Sequence, residues 1–389
     1  VNGVGGPAST AGTVAPGVVN APRRVVLAPD SFKGTATATE AAAALARGWR
    51  SVAPADQIVE LPMADGGEGT LDAFAVAVPG AERLPVTVQG PDDRPVDACW
   101  LRLPDGTALV ELALASGITL LDPLRPLDAH TLGFGQAIAA ALDSGATRLL
   151  LAIGGSSSTD GGVGALAALG ARAMDASGRP IPPGGGGLAA IEALDLHGLR
   201  ALPPGGASIL SDVTNPLLGP AGAAAVFGPQ KGADPAQVER LEANLAHLVA
   251  VVAGGASFAS APGAGAAGGA GFGLLVWGAA MAGGAGAVAD AIGMDAALAG
   301  ASVVVTGEGR FDGQSAAGKV PSEVASRAVA AGVPVALVAG AITADASGFE
   351  GGAVSLTELA GSSDAAMRDP LHWLEAAGAA LAAVAIGRA

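Results

Sequence analysis

The chain has 389 residues, 61 of them Gly and 26 Pro, with half of all residues apolar and a formal net charge of −15. That length predicts two domains, or one large domain with insertions, and is ample for a buried core. The acidic balance excludes a general nucleic-acid surface and docking onto acidic membranes, both of which need concentrated positive charge; the single cysteine, Cys99, excludes an internal disulfide and a cysteine-based zinc site.

Residues Val1–Asn20 carry no charge and almost no large apolar side chain, which predicts a disordered tail. They lack the basic start and dense apolar stretch of a signal peptide, so a cytoplasmic location is expected. The first strand is expected at Val25–Ala28, followed by Asp30, Ser31 and Lys33. Thr37 and Glu40 have the spacing of a capping box, predicting a helix to about Trp49. The Lys33 loop then joins a strand end to a helix N-terminus, where unpaired N–H groups favour an anion. Lysine is rare in this chain: Lys33, Lys231 and Lys319 are the only ones, and each touches a glycine.

A second apolar run, Ile58–Leu61, precedes "PMADGGEGTLDA". Asp65 and Glu68, with Gly66, Gly67 and Thr70 around them, can hold Mg²⁺, which takes one or two carboxylates plus phosphate oxygens. The same spacing also suits a plain turn with a helix N-cap. From Pro85 to Leu112 the pattern alternates and contains two turn signals, predicting antiparallel hairpins. Leu149–Ile153 then leads into "GGSSSTDGGVGAL". Its Gly154, Gly155, Ser156, Ser157, Ser158 and Thr159 offer successive N–H and hydroxyl donors for a phosphate, with Asp160 next. A turn is the simpler use of the same residues.

Asp212 follows the short run "ASIL", with Asn215 and Lys231 in the same segment. The pair Asp212 and Asn215 serves either as base and ligand or as an Asx-turn before Pro216. The uncharged region from Leu248 to Ala289 is poor in Leu, Ile and Val, and is expected as a buried helix rather than a membrane span. Within it, Gly263–Gly268 matches a dinucleotide fingerprint but lacks the preceding strand. After a strand at Ser302–Thr306, Glu308, Arg310 and Asp312 are expected to leave the strand end, with Lys319 at a helix start. Gly313–Lys319 fits G-x-x-x-x-G-K, but Val320 stands where a P-loop needs Ser or Thr. A last strand is expected at Pro334–Val338. His130, His197, His247 and His372 show no ligand spacing, and no G-x-S-x-G or H-E-x-x-H occurs.

Strands buried on both faces alternating with alanine-rich helices give an α/β fold class: a Rossmann-like parallel-sheet domain plus a second, inserted mixed α/β domain. The expected division is a tail at 1–22, a Rossmann-like unit from 23–80 with 286–389, and an inserted unit at 81–285. Ligands then belong at the carboxyl ends of the strands.

Taken in order, "APDSFKG", "MADGGEGT", "ASGITLL", "GGSSSTDGG", "DVTNPLLGPAGAAAVFGPQKGA", "PGAGAAGG" and "GEGRFDGQSAAGKVP" resemble the type I glycerate kinase family, from about Arg24 to beyond Gly340. The resemblance implies transfer of the γ-phosphate of ATP to D-glycerate, mostly at the 2-hydroxyl, with Mg²⁺, in a cleft between two α/β domains. It implies roles for Asp30, Ser31 and Lys33, for Asp65 to Thr70, for Asp212, Asn215 and Lys231, and for Glu308, Asp312 and Lys319. Three residues depart from the family: Ser211 replaces a usual Cys, Gln136 stands in "HTLGFGQ" where the family has Glu, and Phe311 sits within the otherwise intact "GEG…D" block. On this reading Lys33 and Lys231 hold phosphate or the glycerate carboxylate, and Asp212 is the base. Asp65, Glu68 or Asp160 bind the metal. The partner is a small molecule, with no nucleic acid or membrane, and the chain is a monomer or homodimer. Competing readings are a glycerate 3-kinase, a dinucleotide-dependent oxidoreductase and a non-catalytic anion-binding protein.

Overall fold

The computed structural model describes residues 22–32, 34–313 and 319–387. All but the last residue of the expected tail lies outside them, as do Lys33 and most of the Gly313–Lys319 match. The strands are β1 Arg24–Pro29, β2 Gln57–Glu60, β3 Glu82–Gln89, β4 Pro95–Arg102, β5 Thr107–Glu111, β6 Arg148–Ala152, β7 Arg172–Met174, β8 Ala193–Asp195, β9 Ala207–Leu210, β10 Ala280–Ala282, β11 Val303–Phe311, β12 Val335–Ile342 and β13 Gly352–Ser355.

Five of them form a wholly parallel sheet in the order β13-β12-β11-β1-β2. Period-two alternation sends Val25, Leu27, Val303 and Val305 to one face, where they meet Leu45, Trp49, Leu374 and Leu381 of the helices Ala38–Val52 and Pro370–Gly387. Val26, Ala28 and Val304 point the other way, against Leu71, Phe74, Val288, Val320 and Val324. Burial on both faces explains why these strands read as unbroken apolar runs. The two helices on the first face touch backbone to backbone: a Cβ at Gly48 would overlap the carbonyl of Glu375, and one at Gly378 that of Leu45.

A second sheet has the order β10-β9-β6-β5-β4-β3. The hairpins expected between Pro85 and Leu112 are present as the antiparallel pairs β3–β4 and β4–β5, but β5 then pairs parallel with β6. The fold is thus α/β, with a Rossmann-like parallel sheet and an inserted mixed sheet. Leu109, Leu150 and Leu210 of the second sheet share a core with Val26, Phe74 and Val288, so the two sheets are packed through one apolar layer.

Two local expectations need correction. The region from Leu248 to Ala289 is not one helix. It divides into the end of the helix Pro235–Val251, the helices Gly255–Ala259, Ala266–Trp277 and Gly284–Ala291, and β10. Gly254, Gly263 and Gly278 take positive φ at the breaks, which a continuous helix forbids. Strand β11 also runs five residues past the expected end at Thr306. Glu308 and Arg310 therefore lie within it, and only Asp312 follows it. Gly307 and Gly340 allow this, because a Cβ at either would strike the neighbouring strand's backbone, at the Val338 and Gly309 carbonyls respectively.

Candidate active site

The carboxyl ends of the two sheets face a cleft of about 860 Å³. Beside it lies a hollow of about 370 Å³ over the ends of β1, β11 and β12. Ser31, Thr35, Asp65 and Lys319 line both.

The turn after β2 forms the cleft's acidic wall. Gly66 and Gly69 take φ of +88° and +87°, a conformation that side chains with a Cβ avoid. Asp65 Oδ1 accepts from Gly67 N at 3.1 Å, and Thr70 Oγ1 donates to the Gly67 carbonyl at 2.7 Å. Asp65 and Glu68 line the cleft, as do Gly66 and Gly67. The helix Thr70–Ala77 has no cap from its own N-cap residue, Gly69. Its first N–H groups are instead taken from 40 residues away: Gly69 N donates to Glu111 Oε1 at 3.0 Å and Leu71 N to Glu111 Oε2 at 2.9 Å. Glu111 ends β5 and is 2% exposed. Burial pushes its carboxyl up to about 7, against the opposing pull of the two backbone donors. Glu111 lies outside every motif singled out in the sequence as a candidate site. The available signal was a lone carboxylate closing the apolar run "ALVELALA", the same strand-end position that singled out Asp30 and Asp212.

Opposite the turn lies the hydroxyl-rich loop after β6. Gly154 N donates to the Gly66 carbonyl at 3.1 Å, joining the two loops. Gly154, Gly155 and Ser156 line the cleft. Ser157, Ser158 and Thr159 are buried. Ser157 Oγ donates to the Ser116 carbonyl, and among the described residues the hydroxyls of Ser158 and Thr159 have no hydrogen-bond partner. Asp160 is also turned inward, 1% exposed, and accepts from Thr131 N, Thr131 Oγ1, Gly162 N and Gly164 N. It lines neither cavity.

Lys231 closes the 3₁₀ turn Pro229–Lys231 and reaches the cleft wall from behind this loop, donating to Ser156 Oγ at 2.8 Å and to the Ser158 carbonyl. Its burial lowers the ammonium to about 7, with the Asp160 charge pulling the other way. The Gly263–Gly268 run explains how Lys231 fits. It follows the helix Gly255–Ala259 rather than a strand, and Gly268, at φ +67°, packs where a Cβ would overlap the Ser158 carbonyl and sit 2.8 Å from Lys231 Nζ. These glycines serve close packing.

Asp212 lies two residues beyond β9 and lines the cleft. Gly284 N donates to its Oδ1 at 2.7 Å and Ala285 N to its Oδ2 at 3.2 Å, so the carboxylate caps the helix Gly284–Ala291. Burial raises its carboxyl above the ordinary value, reinforced by the charges of Asp65 and Glu323. Ser211, also in the cleft lining, accepts from Val213 N. Asn215 is absent from the lining of both cavities; its Nδ2 donates to the Ala221 carbonyl. Asp30, Glu308, Arg310 and Asp312 gather around the smaller hollow. Gln136 stands inside the helix Leu132–Asp143 and accepts from Gln89 N at 2.7 Å, tying that helix to β3.

Among the described residues no group of three or more His, Cys, Asp or Glu forms a ready metal site. Two carboxylates facing one cleft, Asp65 and Glu68, match the donor set of a Mg²⁺ that is completed by phosphate oxygens and water.

Residues 25–386 match the model of the Glycerate kinase family. The chain is 44% identical over 329 residues to "Glycerate kinase" of Bacillus subtilis (strain 168), an alignment covering 83% of this chain and 86% of that protein. It is 41% identical over 329 residues to "Glycerate 2-kinase" of Escherichia coli (strain K12), with the same coverage. Its fold is similar, with a TM-score of 0.81 and 37% identity, to a crystal structure assigned as glycerate kinase 2 from Salmonella typhimurium LT2, over 94% of this chain and 99% of that one.

Proposed function

The chain belongs to the glycerate kinase family, and we propose that it transfers the γ-phosphoryl group of ATP to the 2-hydroxyl of D-glycerate, with Mg²⁺, giving 2-phosphoglycerate and ADP. The observation that carries this reading is convergence. An acidic turn, a glycine-hydroxyl loop backed by a buried lysine, and a helix-capping carboxylate meet at one cleft from two sheets. Phosphoryl transfer asks for this kind of positioned charge more than for covalent chemistry.

The roles follow from placement. Asp212 takes the proton of the glycerate hydroxyl at a carboxylate oxygen. Its raised affinity for protons makes it a stronger base than a solvated aspartate, while its two backbone donors fix its direction. Asp65 and Glu68 hold the metal. Bound Mg²⁺ supplies neutralisation of the phosphate charge. Lys231, with Ser156 and the N–H group of Gly155, binds an anionic oxygen, phosphate or glycerate carboxylate. Asp160 braces the loop from behind rather than facing the ligand. The smaller hollow, with Ser31 and Lys319 shared between the cavities, extends the substrate and nucleotide surface to Asp30, Glu308, Arg310 and Asp312. The same reading takes residues 23–80 with 286–389 and residues 81–285 as two units that flank the cleft, and places the enzyme in the cytoplasm.

The test is ADP release with D-glycerate, ATP and Mg²⁺, each omitted in turn. Release that requires all three supports the reading. Background release from a folded chain refutes it.

A further inference from the structure

The turn that carries Asp65 and Glu68 follows β2 of the parallel sheet, yet what holds it in place comes from the mixed sheet. Glu111 accepts from the N–H groups on both sides of Thr70, at 3.0 Å and 2.9 Å. Gly154, just beyond β6, donates to the Gly66 carbonyl. Glu111 and Ala152 are register partners on adjacent parallel strands, so both attachments leave the same edge of the same sheet. Gly66 closes the third side: a Cβ there would lie 2.9 Å from the Leu210 Cβ at the end of β9. The ends of three neighbouring strands, β5, β6 and β9, thus grip the turn.

Of these attachments only Glu111 is a side chain with a charge. It is almost wholly buried, does not line the cleft, and among the described residues has no cationic hydrogen-bond partner. A buried carboxylate without a cationic partner is costly, and a helix N-terminus is ordinarily capped by a nearby Ser, Thr, Asp or Asn instead. A purely local cap explains neither the burial nor the reach across 40 residues. Two parallel acceptor oxygens on one rigid strand end fix both the distance and the orientation of the backbone at Gly69 and Leu71, and hence of the carboxylates one and four residues before Gly69.

We propose that Glu111 is a positioning residue for phosphoryl transfer, a buried bidentate brace from the mixed sheet that sets the pose of the Asp65–Glu68 turn against the hydroxyl loop and Asp212. The inference rests on the reading that this turn serves the reaction. It assigns Glu111 no contact with substrate or metal.

Glu111→Gln keeps the size but replaces one acceptor with an NH₂ that opposes a backbone N–H. Glu111→Asp keeps both acceptors but withdraws them by one methylene. Steady-state kinetics, corrected for the folded fraction measured by circular dichroism, are compared with binding of Mn²⁺ followed by its electron paramagnetic resonance signal. A misplaced turn predicts that Glu111→Gln lowers kcat by about 100-fold, as small displacements of catalytic groups do, with the KM for glycerate moving much less. It also predicts weaker Mn²⁺ binding and partial recovery of both in Glu111→Asp. A fall in thermal midpoint with kcat per folded molecule unchanged would reduce Glu111 to a stabilising cap and overturn the proposal. If Glu111→Gln does not fold, Glu111→Asp decides: wild-type kcat and Mn²⁺ affinity contradict the brace. Failure of the wild-type chain to turn over glycerate is a separate result, and rejects the kinase reading itself.

Discussion

The ammonium of Lys231 lies 2.8 Å from Ser156 Oγ, and it donates there from a site only 2% exposed. A lysine so enclosed, with its charge held near neutrality, gains most when an anion arrives at the loop in front of it. Lys231→Met removes the charge at similar length. Turnover is expected to fall by about 100-fold or more, the scale for losing one preorganised electrostatic contact. A steady-state assay on the folded variant checks it.

The same lysine predicts a pH signature in stability. Its folded value of about 7 lies below the ordinary 10.5. Between those values the unfolded chain binds more protons than the folded one, so stability rises with pH across that window. Below about pH 7 both states carry the charge and the contribution of this group is flat. Urea midpoints from pH 7 to 10 therefore rise more steeply in the wild type than in Lys231→Met.

Asp212 makes a distinct prediction. Because its carboxyl is raised above 3.8, the acid limb of kcat/KM belongs above the range of a solvated aspartate. Asp212→Asn should lose about two orders of magnitude in kcat and this limb with it. A pH–rate profile of both proteins measures it, and near-wild-type turnover in the variant would remove Asp212 from the chemistry.

Asp160 is expected to act on stability first. Its carboxylate accepts four hydrogen bonds inside the fold. Asp160→Asn turns one oxygen into a donor facing donors, which costs about 2–4 kcal/mol. Chemical denaturation reads that loss directly. An unchanged denaturation midpoint, with Mn²⁺ binding weakened, would return Asp160 to the metal site.

Gly268→Ala tests the packing behind Lys231. The added methyl would overlap the Ser158 carbonyl at a backbone conformation suited to glycine, a combination that costs about 2–4 kcal/mol. Reduced stability together with a raised KM is expected, because the loop and lysine must move apart.

How much of this was legible in the sequence depended on whether the signal was local. β1 and β6 stood out because strands covered on both faces are continuous apolar runs, and the Thr37–Glu40 box is present with both of its reciprocal hydrogen bonds. β11 was cut short because Gly307, Glu308 and Gly309 look like a strand end. Only the neighbouring β12 reveals that glycine there permits pairing to continue. The inward turn of Ser157, Ser158, Thr159 and Asp160 was equally invisible, since a run of hydroxyls does not say which of them faces a ligand. Glu111 acts on a helix 40 residues earlier in the chain, and no periodicity or spacing carries that distance.

The most direct test of the account is identification of the product formed from D-glycerate and ATP with Mg²⁺. The account predicts 2-phosphoglycerate and ADP in equal amounts. Formation of 3-phosphoglycerate alone would contradict the assigned acceptor hydroxyl, and no phosphoglycerate from a folded chain would contradict phosphoryl transfer in this cleft altogether.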